Sequence, residues 1–310
     1  MTDSGRRAGR FARVPPRDGL SVIRDLRFLV SRSLELDMRT VRLAAWPLRR
    51  RAALVTSKYV AVVRLVGGAG ARLSIGGVQF TTRELVDVGT LQAAFADTHD
   101  LLAPVRAVLP DRPVVVDVGA HRGEFLFAVK QLFPRASVLS FEPDPAVHVD
   151  LAANAAGWPD VTTRCVALGD RTASMVLYRA PLSVMSSLRP PSQAPGEQPL
   201  EQVEVPVVTL DDACAELDHI DVLKVDVEGF EDAVVAGARD VIRRSRFLLV
   251  ELGLTRGGAS NLDVLSTVHD FCPTARIIAI GRPLGSTTST MCQDVLVDLA
   301  PAPPDRDHPA

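Results

Sequence analysis

A chain of 310 residues suits one large domain, or a domain of about 200 residues with an added segment. Its 47% apolar content is ample for a buried core, and a net charge of −2 gives no global case for nucleic acid. Four scattered cysteines (Cys165, Cys214, Cys272, Cys292) form no C-x-x-C pair, so neither zinc nor a disulfide framework is expected and a reducing cytoplasm is.

The charge is unevenly spread. Residues 1–51 carry thirteen arginines and no lysine against five acids, a net of +8, which leaves −10 for the remainder. This basic arm (1–55) is expected either to touch an anionic surface such as lipid or to be a solvated leader. Ile23, Leu26, Val30 and Leu34 recur at spacings of three and four, which predicts an amphipathic helix over Leu20–Leu36. Arginines interrupt every early apolar run, so no signal peptide is expected, and no stretch approaches the roughly 20 apolar residues of a membrane span.

An extension (56–110) follows. Ala71–Thr82 reads as strand, Gly-Gly turn and strand, and Leu91–Leu109 as a helix. From 111 to 300 strands and helices alternate, as a doubly wound α/β sheet requires. Val114–Val118 is an unbroken apolar strand, followed by a helix over Glu124–Phe133. Then come a strand at Ser137–Glu142, a helix at Pro145–Ala156 and a strand at Val161–Leu168. Strands at Ser174–Tyr178 and Val203–Val208 flank a Pro-rich loop, Pro181–Gln202, whose composition is that of a movable lid. A short helix at Asp211–Leu217, a strand at Asp221–Asp226, a helix at Phe230–Ile242, a strand at Phe247–Glu251 and a helix at Leu262–Phe271 follow. Arg276–Ile280 and Asp294–Leu299 close as an antiparallel pair, and the tail 301–310 is expected to be disordered. The fold expected is Rossmann-like, a seven-stranded and mostly parallel sheet with an antiparallel last strand and helices on both faces.

In such sheets ligands bind at the strand carboxyl ends. The first strand ends in Asp117-Val118-Gly119-Ala120-His121-Arg122-Gly123, a D-x-G-x-x-x-G turn with His121 where a dinucleotide loop has its second glycine. This spacing disfavours a pyrophosphate and points to another nucleoside ligand, with S-adenosylmethionine as the candidate. Glu142 lies 23 residues beyond Gly119, the reach of a carboxylate that grips ribose hydroxyls. Asp117, Gly119, His121 and Gly123 are expected at the methionine end, and Leu168 and Asp170 at the end of the third strand. Leu223–Glu231 places Asp226 and Glu228 at the end of a buried strand, where carboxylates cost desolvation unless something uses them. Alternatively both cap the helix that follows. An alcohol acceptor must lose a proton as it attacks, so one of the two is expected to serve as base. A divalent metal shared by Asp226 and Glu251 is an alternative; none is expected.

The ordered set VDVGAHRGEF, FEPDP, ALGD, SSL, VPVVTLDD, IDVLKVDVEGFE and LLVEL resembles the FkbM-type family of S-adenosylmethionine-dependent methyltransferases over about Leu73–Leu299. The resemblance implies that Asp117, Gly119 and Glu142 bind S-adenosylmethionine, that Asp226, Glu228 and Gly229 border the acceptor site, and that Ser186 and Ser187 lie near the reaction centre; Glu251, at the end of the next strand, is expected among the substrate-binding residues. It implies O-methylation of a sugar, glycolipid or polyketide-type natural product. The chain departs at His121, where the family usually has Asn. A non-catalytic cofactor-binding subunit and an NAD-dependent oxidoreductase are the alternatives.

Overall fold

A computed structural model describes residues 37–38, 48–66, 71–75, 78–82, 85–190, 199–253, 261–281 and 292–299. The predicted helix at Leu20–Leu36, the Gly-Gly turn, residues 191–198 of the Pro-rich loop and the tail lie outside these. Helix α1 (Leu48–Val66) runs straight through 55, where the sequence reading divided arm from extension. The predicted hairpin is present as β1 (Ala71–Ile75) and β2 (Val78–Thr82). Helix α2 spans Leu85–Leu102, earlier at both ends than the apolar pattern indicated. Among the described residues no helix is long and apolar enough to cross a membrane.

The body follows as β3 (Val114–Val118), α3 (Glu124–Leu132), β4 (Ser137–Phe141), α4 (Pro145–Ala155), β5 (Val161–Arg164), β6 (Ala167–Gly169), β7 (Ala173–Arg179), β8 (Glu201–Thr209), α5 (Leu210–Ala213), β9 (Ile220–Val225), α6 (Glu231–Ala236), α7 (Arg239–Arg243), β10 (Ser245–Gly253), α8 (Asn261–Phe271), β11 (Arg276–Ile280) and β12 (Cys292–Asp298). A seven-stranded sheet runs in the order β11-β12-β10-β9-β3-β4-β5. Its five strands from β10 to β5 are mutually parallel, and β12 is antiparallel to both neighbours, as the closing pair predicted. The chain leaves β3 for β4 on one side and returns to β9 on the other, so the ligand crevice of such sheets lies at the ends of β3, β4 and β9.

Both faces of the sheet are covered. Val116, Leu223 and Leu248 pack into one core, and Val115, Val222 and Leu249 into the other beneath α3 and α4. This two-sided burial is why the strands read as continuous apolar runs. A third core joins the extension to the body, where Phe127 of α3 meets Phe80, Phe95 and Trp158 edge to face. Asp37 ties the extension together by accepting bonds from Lys58 (2.6 Å), Tyr59 (2.6 Å) and Gln92 (2.8 Å).

Two elements differ from the sequence reading. The third strand is cut in two: β5 ends the main sheet, while β6 pairs with β8 in a separate three-stranded sheet, β6-β8-β7. The single helix expected over Phe230–Ile242 is broken at Gly237. A Cβ there would stand 2.1 Å from the Gly169 carbonyl oxygen, because the helix end presses directly on β6. Gly119 is equally constrained, with φ +81° and a Cβ position 1.7 Å from the Asp226 carbonyl oxygen. Gly119→Ala is therefore expected to destabilise by more than about 2 kcal/mol. Urea unfolding measures this, and a loss below about 0.5 kcal/mol would contradict so close an approach.

Candidate active site

A cavity of about 360 Å³ opens at the crevice, within the range of small-ligand sites. The ends of β3, β4 and β9 form its floor. Thr90, Asp97 and Thr98 of α2 close one side, and residues 183–188 cross the other.

Glu142 follows β4 and is buried (7% exposed). One of its oxygens accepts the His121 amide (2.9 Å), the other the Asp144 amide (2.8 Å). A carboxylate offers about four acceptor positions, so both oxygens retain capacity for a pair of vicinal hydroxyls. Burial raises its pKa to about 7 against those two amides. The neighbouring Asp144 caps α4 through the Ala146 amide and is clamped by Arg179 of β7 at 2.6 and 2.7 Å. The three-stranded sheet is thus fastened to the loop that carries Glu142.

His121 adopts φ 48°, a left-handed conformation that Asn and His tolerate better than most side chains. Its ring joins Glu124 (Nδ1 to Oε1, 3.1 Å) to Ser183 (Nε2 to Oγ, 2.8 Å). Burial opposes charging of the ring, yet Glu124 outweighs it and raises the pKa. Arg122, buried beside Asp150, also donates to Ser183 Oγ (2.9 Å).

The second half of the site is acidic. Asp226 receives Lys224 Nζ at 3.0 Å, and the same ammonium stands 3.8 Å from Asp117. Asp117 lies beneath the cavity floor with no exposed surface, and neither of its oxygens has a hydrogen-bond partner. Burial, opposed by Lys224, raises its pKa to about 6. Glu228, at φ 56°, Glu251 and Asp294 line the cavity. The carboxylates of Asp226, Glu228 and Glu251 can place oxygens within 4.8 Å of one another, close enough to share a cation. Burial, followed by the charges of Asp226 and Glu228, holds Glu251 well above the ordinary range, and burial takes Asp294 to about 7.

These raised values have a consequence for stability. Between the ordinary carboxylate range and about pH 7, the folded state binds more protons than the unfolded chain, so stability falls as pH rises. The melting temperature of ligand-free protein is expected to drop from about pH 5 to about pH 8. A rise over that window would contradict the acidic cluster.

Neither Asp226 nor Glu228 caps the following helix. The helix has no side-chain cap: Glu231 instead accepts the amides of Val227 (3.1 Å) and Gly229 (3.0 Å) in the turn before it, and the other two acids face the cavity. Gly119, His121, Glu142, Leu168, Ser186, Ser187, Asp226, Glu228 and Glu251 all line it, while Asp117 lies just under it. Three expected residues lie elsewhere. Asp170 is exposed and paired with Arg171, because β6 leaves the main sheet and its end turns to solvent. Gly123 starts α3 at φ 94°, and Gly229 supplies the backbone of the Glu228 turn. Lys224, Ser183, Cys292, Asp294 and the α2 residues were not singled out from sequence. Lys224 had a signal, a cation within a buried strand, whereas the others depend on contacts across the fold.

The residues fit S-adenosylmethionine on two observations: the buried carboxylate of Asp117, which accepts no hydrogen bond and has only Lys224 3.8 Å away, and the two oxygens of Glu142 with acceptor capacity to spare. The profile of the methyltransferase FkbM domain matches residues 117–271. The chain is 28% identical over 155 residues to the 2-O-methyltransferase NoeI of Sinorhizobium fredii, covering 46% of this chain and 63% of that protein. It is 28% identical over 248 residues to the 31-O-demethyl-FK506 methyltransferase FkbM of Streptomyces tacrolimicus, covering 69% of this chain and 90% of that one. The crystal structure of methyltransferase FkbM from Methylobacillus flagellatus KT superposes with a TM-score of 0.42 at 17% identity, over 80% of this chain and 59% of the other. The chain belongs to the FkbM family of methyltransferases, whose cofactor is S-adenosylmethionine.

Proposed function

We propose that the protein transfers a methyl group from S-adenosylmethionine to a hydroxyl oxygen of a sugar, glycolipid or polyketide-type natural product. The observation that supports this reading is one cavity lined by both Glu142 and Glu228, a carboxylate placed for ribose hydroxyls and one placed for an acceptor. The relatives NoeI and FkbM, whose names state O-methylation, support it.

S-adenosylmethionine supplies an electrophilic methyl group on a sulfonium. Glu142 would hold the nucleoside through its hydroxyls, and the acidic wall of Asp226, Glu228 and Asp294, with Asp117 buried beneath it, is complementary to the cofactor's positive charge. Asp226 accepts Lys224 Nζ, burial and the neighbouring charges hold Glu251 well above the ordinary range, and Glu228 is the carboxylate placed to take the proton of the acceptor hydroxyl. Bound there, the cofactor would supply the methyl group to an acceptor oxygen beside Glu228, and Glu228 would hold the proton that this oxygen loses. Holding the two reactants in line supplies much of the rate.

Calorimetric titration with S-adenosylhomocysteine tests the cofactor, and absence of binding to folded protein would end this reading. Labelled S-adenosylmethionine offered to lipid, glycan and small-polyketide fractions then identifies the acceptor. The reading keeps a cytoplasmic setting and a peripheral membrane contact through the basic arm. Exposed Leu48, Tyr59 and Val60 on α1 continue the apolar surface such an arm would bring. Removing residues 1–36, which spares Asp37, is expected to abolish sedimentation with anionic liposomes and to leave S-adenosylhomocysteine binding intact; equal sedimentation would remove the contact.

A further inference from the structure

Residues 183–189 form a strap between the two halves of the cavity. At one end, Ser183 Oγ meets the His121 ring (2.8 Å) and Arg122 (2.9 Å). His121 is the residue whose amide holds one oxygen of Glu142. At the other end, Ser187 Oγ donates to the Glu228 carbonyl oxygen (2.9 Å). Arg189 donates to the Gly229 carbonyl oxygen and grips both oxygens of Asp232, the more distant at 2.6 Å. Its guanidinium also lies over the Phe230 ring, 5.5 Å from the centroid. In the middle, Ser187 exchanges both backbone bonds with Tyr178 of β7 (2.9 and 3.2 Å), which anchors the strap to the three-stranded sheet.

The turn gripped by Arg189 is the strained one. Glu228 carries a side chain at φ 56° and Gly229 follows at φ 94°. A side chain held in the left-handed region persists only where its surroundings over-determine it. Here the bonds from Ser187 and Arg189 fix the two carbonyls of the turn, while Glu231 fixes its amides. His121, at the opposite end, is also left-handed (φ 48°) and also touched by the strap. The two strained non-glycine residues of the described chain are therefore joined by seven residues of one segment.

Resting on the cofactor reading above, we infer that Arg189 is a positioning residue. It sets the Glu228 turn directly, and through the strap to Ser183 it sets the His121 loop that presents Glu142, so that the acceptor side and the cofactor side are organised together. Loss of either anchor frees the strap, and the second anchor then has nothing left to transmit.

The test needs no acceptor. S-adenosylhomocysteine affinity is measured by calorimetry for the full chain and for Ser183→Ala, Arg189→Ala and the double variant, with melting temperatures as a check on folding. Each single change is expected to weaken binding about fivefold or more, and the double variant is expected to be no weaker than the worse single. Arg189→Lys, which keeps the charge but not the forked grip, serves if Arg189→Ala does not fold, with an intermediate loss expected. Arg189 variants that bind like the parent, or losses that simply multiply in the double variant, would overturn the inference while leaving the cofactor reading intact. A parent chain that binds no S-adenosylhomocysteine would overturn the cofactor reading and, with it, this inference.

Discussion

Glu142→Gln is expected to lower S-adenosylhomocysteine affinity by one to two orders of magnitude. The carboxylate is held by two amides, one on each oxygen, and both are donors. A carboxamide must turn its NH2 toward one of them, so two donors face each other and the loop at His121 or Asp144 has to shift. The ligand hydroxyls at the same time exchange a charged acceptor for a neutral one. Hydrogen bonds to charged groups contribute about 1.5–3 kcal/mol, which corresponds to a loss of roughly ten- to a hundredfold. The pH dependence carries a second signature. Because burial raises the Glu142 pKa to about 7, the proton must leave before the carboxylate can accept from both hydroxyls. Affinity in the parent chain is therefore expected to fall as pH drops through about 7, whereas Glu142→Gln should show no such step from this group. Calorimetry across that window checks both parts; a variant that keeps parental affinity and slope would remove Glu142 from the cofactor site.

Glu228 separates catalysis from stability. Glu228→Gln is expected to cut methyl transfer by about 10²–10⁴-fold, the usual contribution of a positioned proton acceptor, with S-adenosylhomocysteine affinity little changed. Glu228→Gly should lose activity to the same degree, yet be more stable than the parent by roughly 1 kcal/mol. Glycine accepts the left-handed conformation without penalty, and its introduction also removes one charge from beside Asp226 and Glu251. Single-turnover rates on the identified acceptor and urea unfolding measure the two effects. Full activity of Glu228→Gln would pass the role of base to another carboxylate of the cluster, and destabilisation by glycine would show that the turn is not strained.

Much of the α/β body was legible in the chain, for physical reasons that can be named. Strands buried on both faces read as largely apolar runs, which is why Val114–Val118 has the predicted boundaries; the exposed edge strand Arg276–Ile280 was readable from its β-branched residues instead. Glu142 was readable because strand, turn and helix lengths fix the distance between successive strand ends. The split at Cys165 and Val166 was not. Val161–Leu168 contains no Pro or Gly, and only the availability of β8 as a partner draws β6 out of the main sheet. Asp170 was misplaced by the same event. Gly237 ends α6 through its approach to Gly169, a contact between segments far apart in sequence.

The sequence by itself determined the order of elements, the D-x-G-x-x-x-G turn, the carboxylate that follows β4 and the presence of acids at the end of β9, since each is written in local periodicity and spacing. Only the tertiary structure decided what those acids do. Lys224 occupies Asp226, Glu231 takes the amides of the turn before α6, and a strap from the inserted sheet fixes Glu228 in a conformation no local preference would choose. Periodicity reports which face of an element is buried; it carries no information about which distant group arrives to use a charge there.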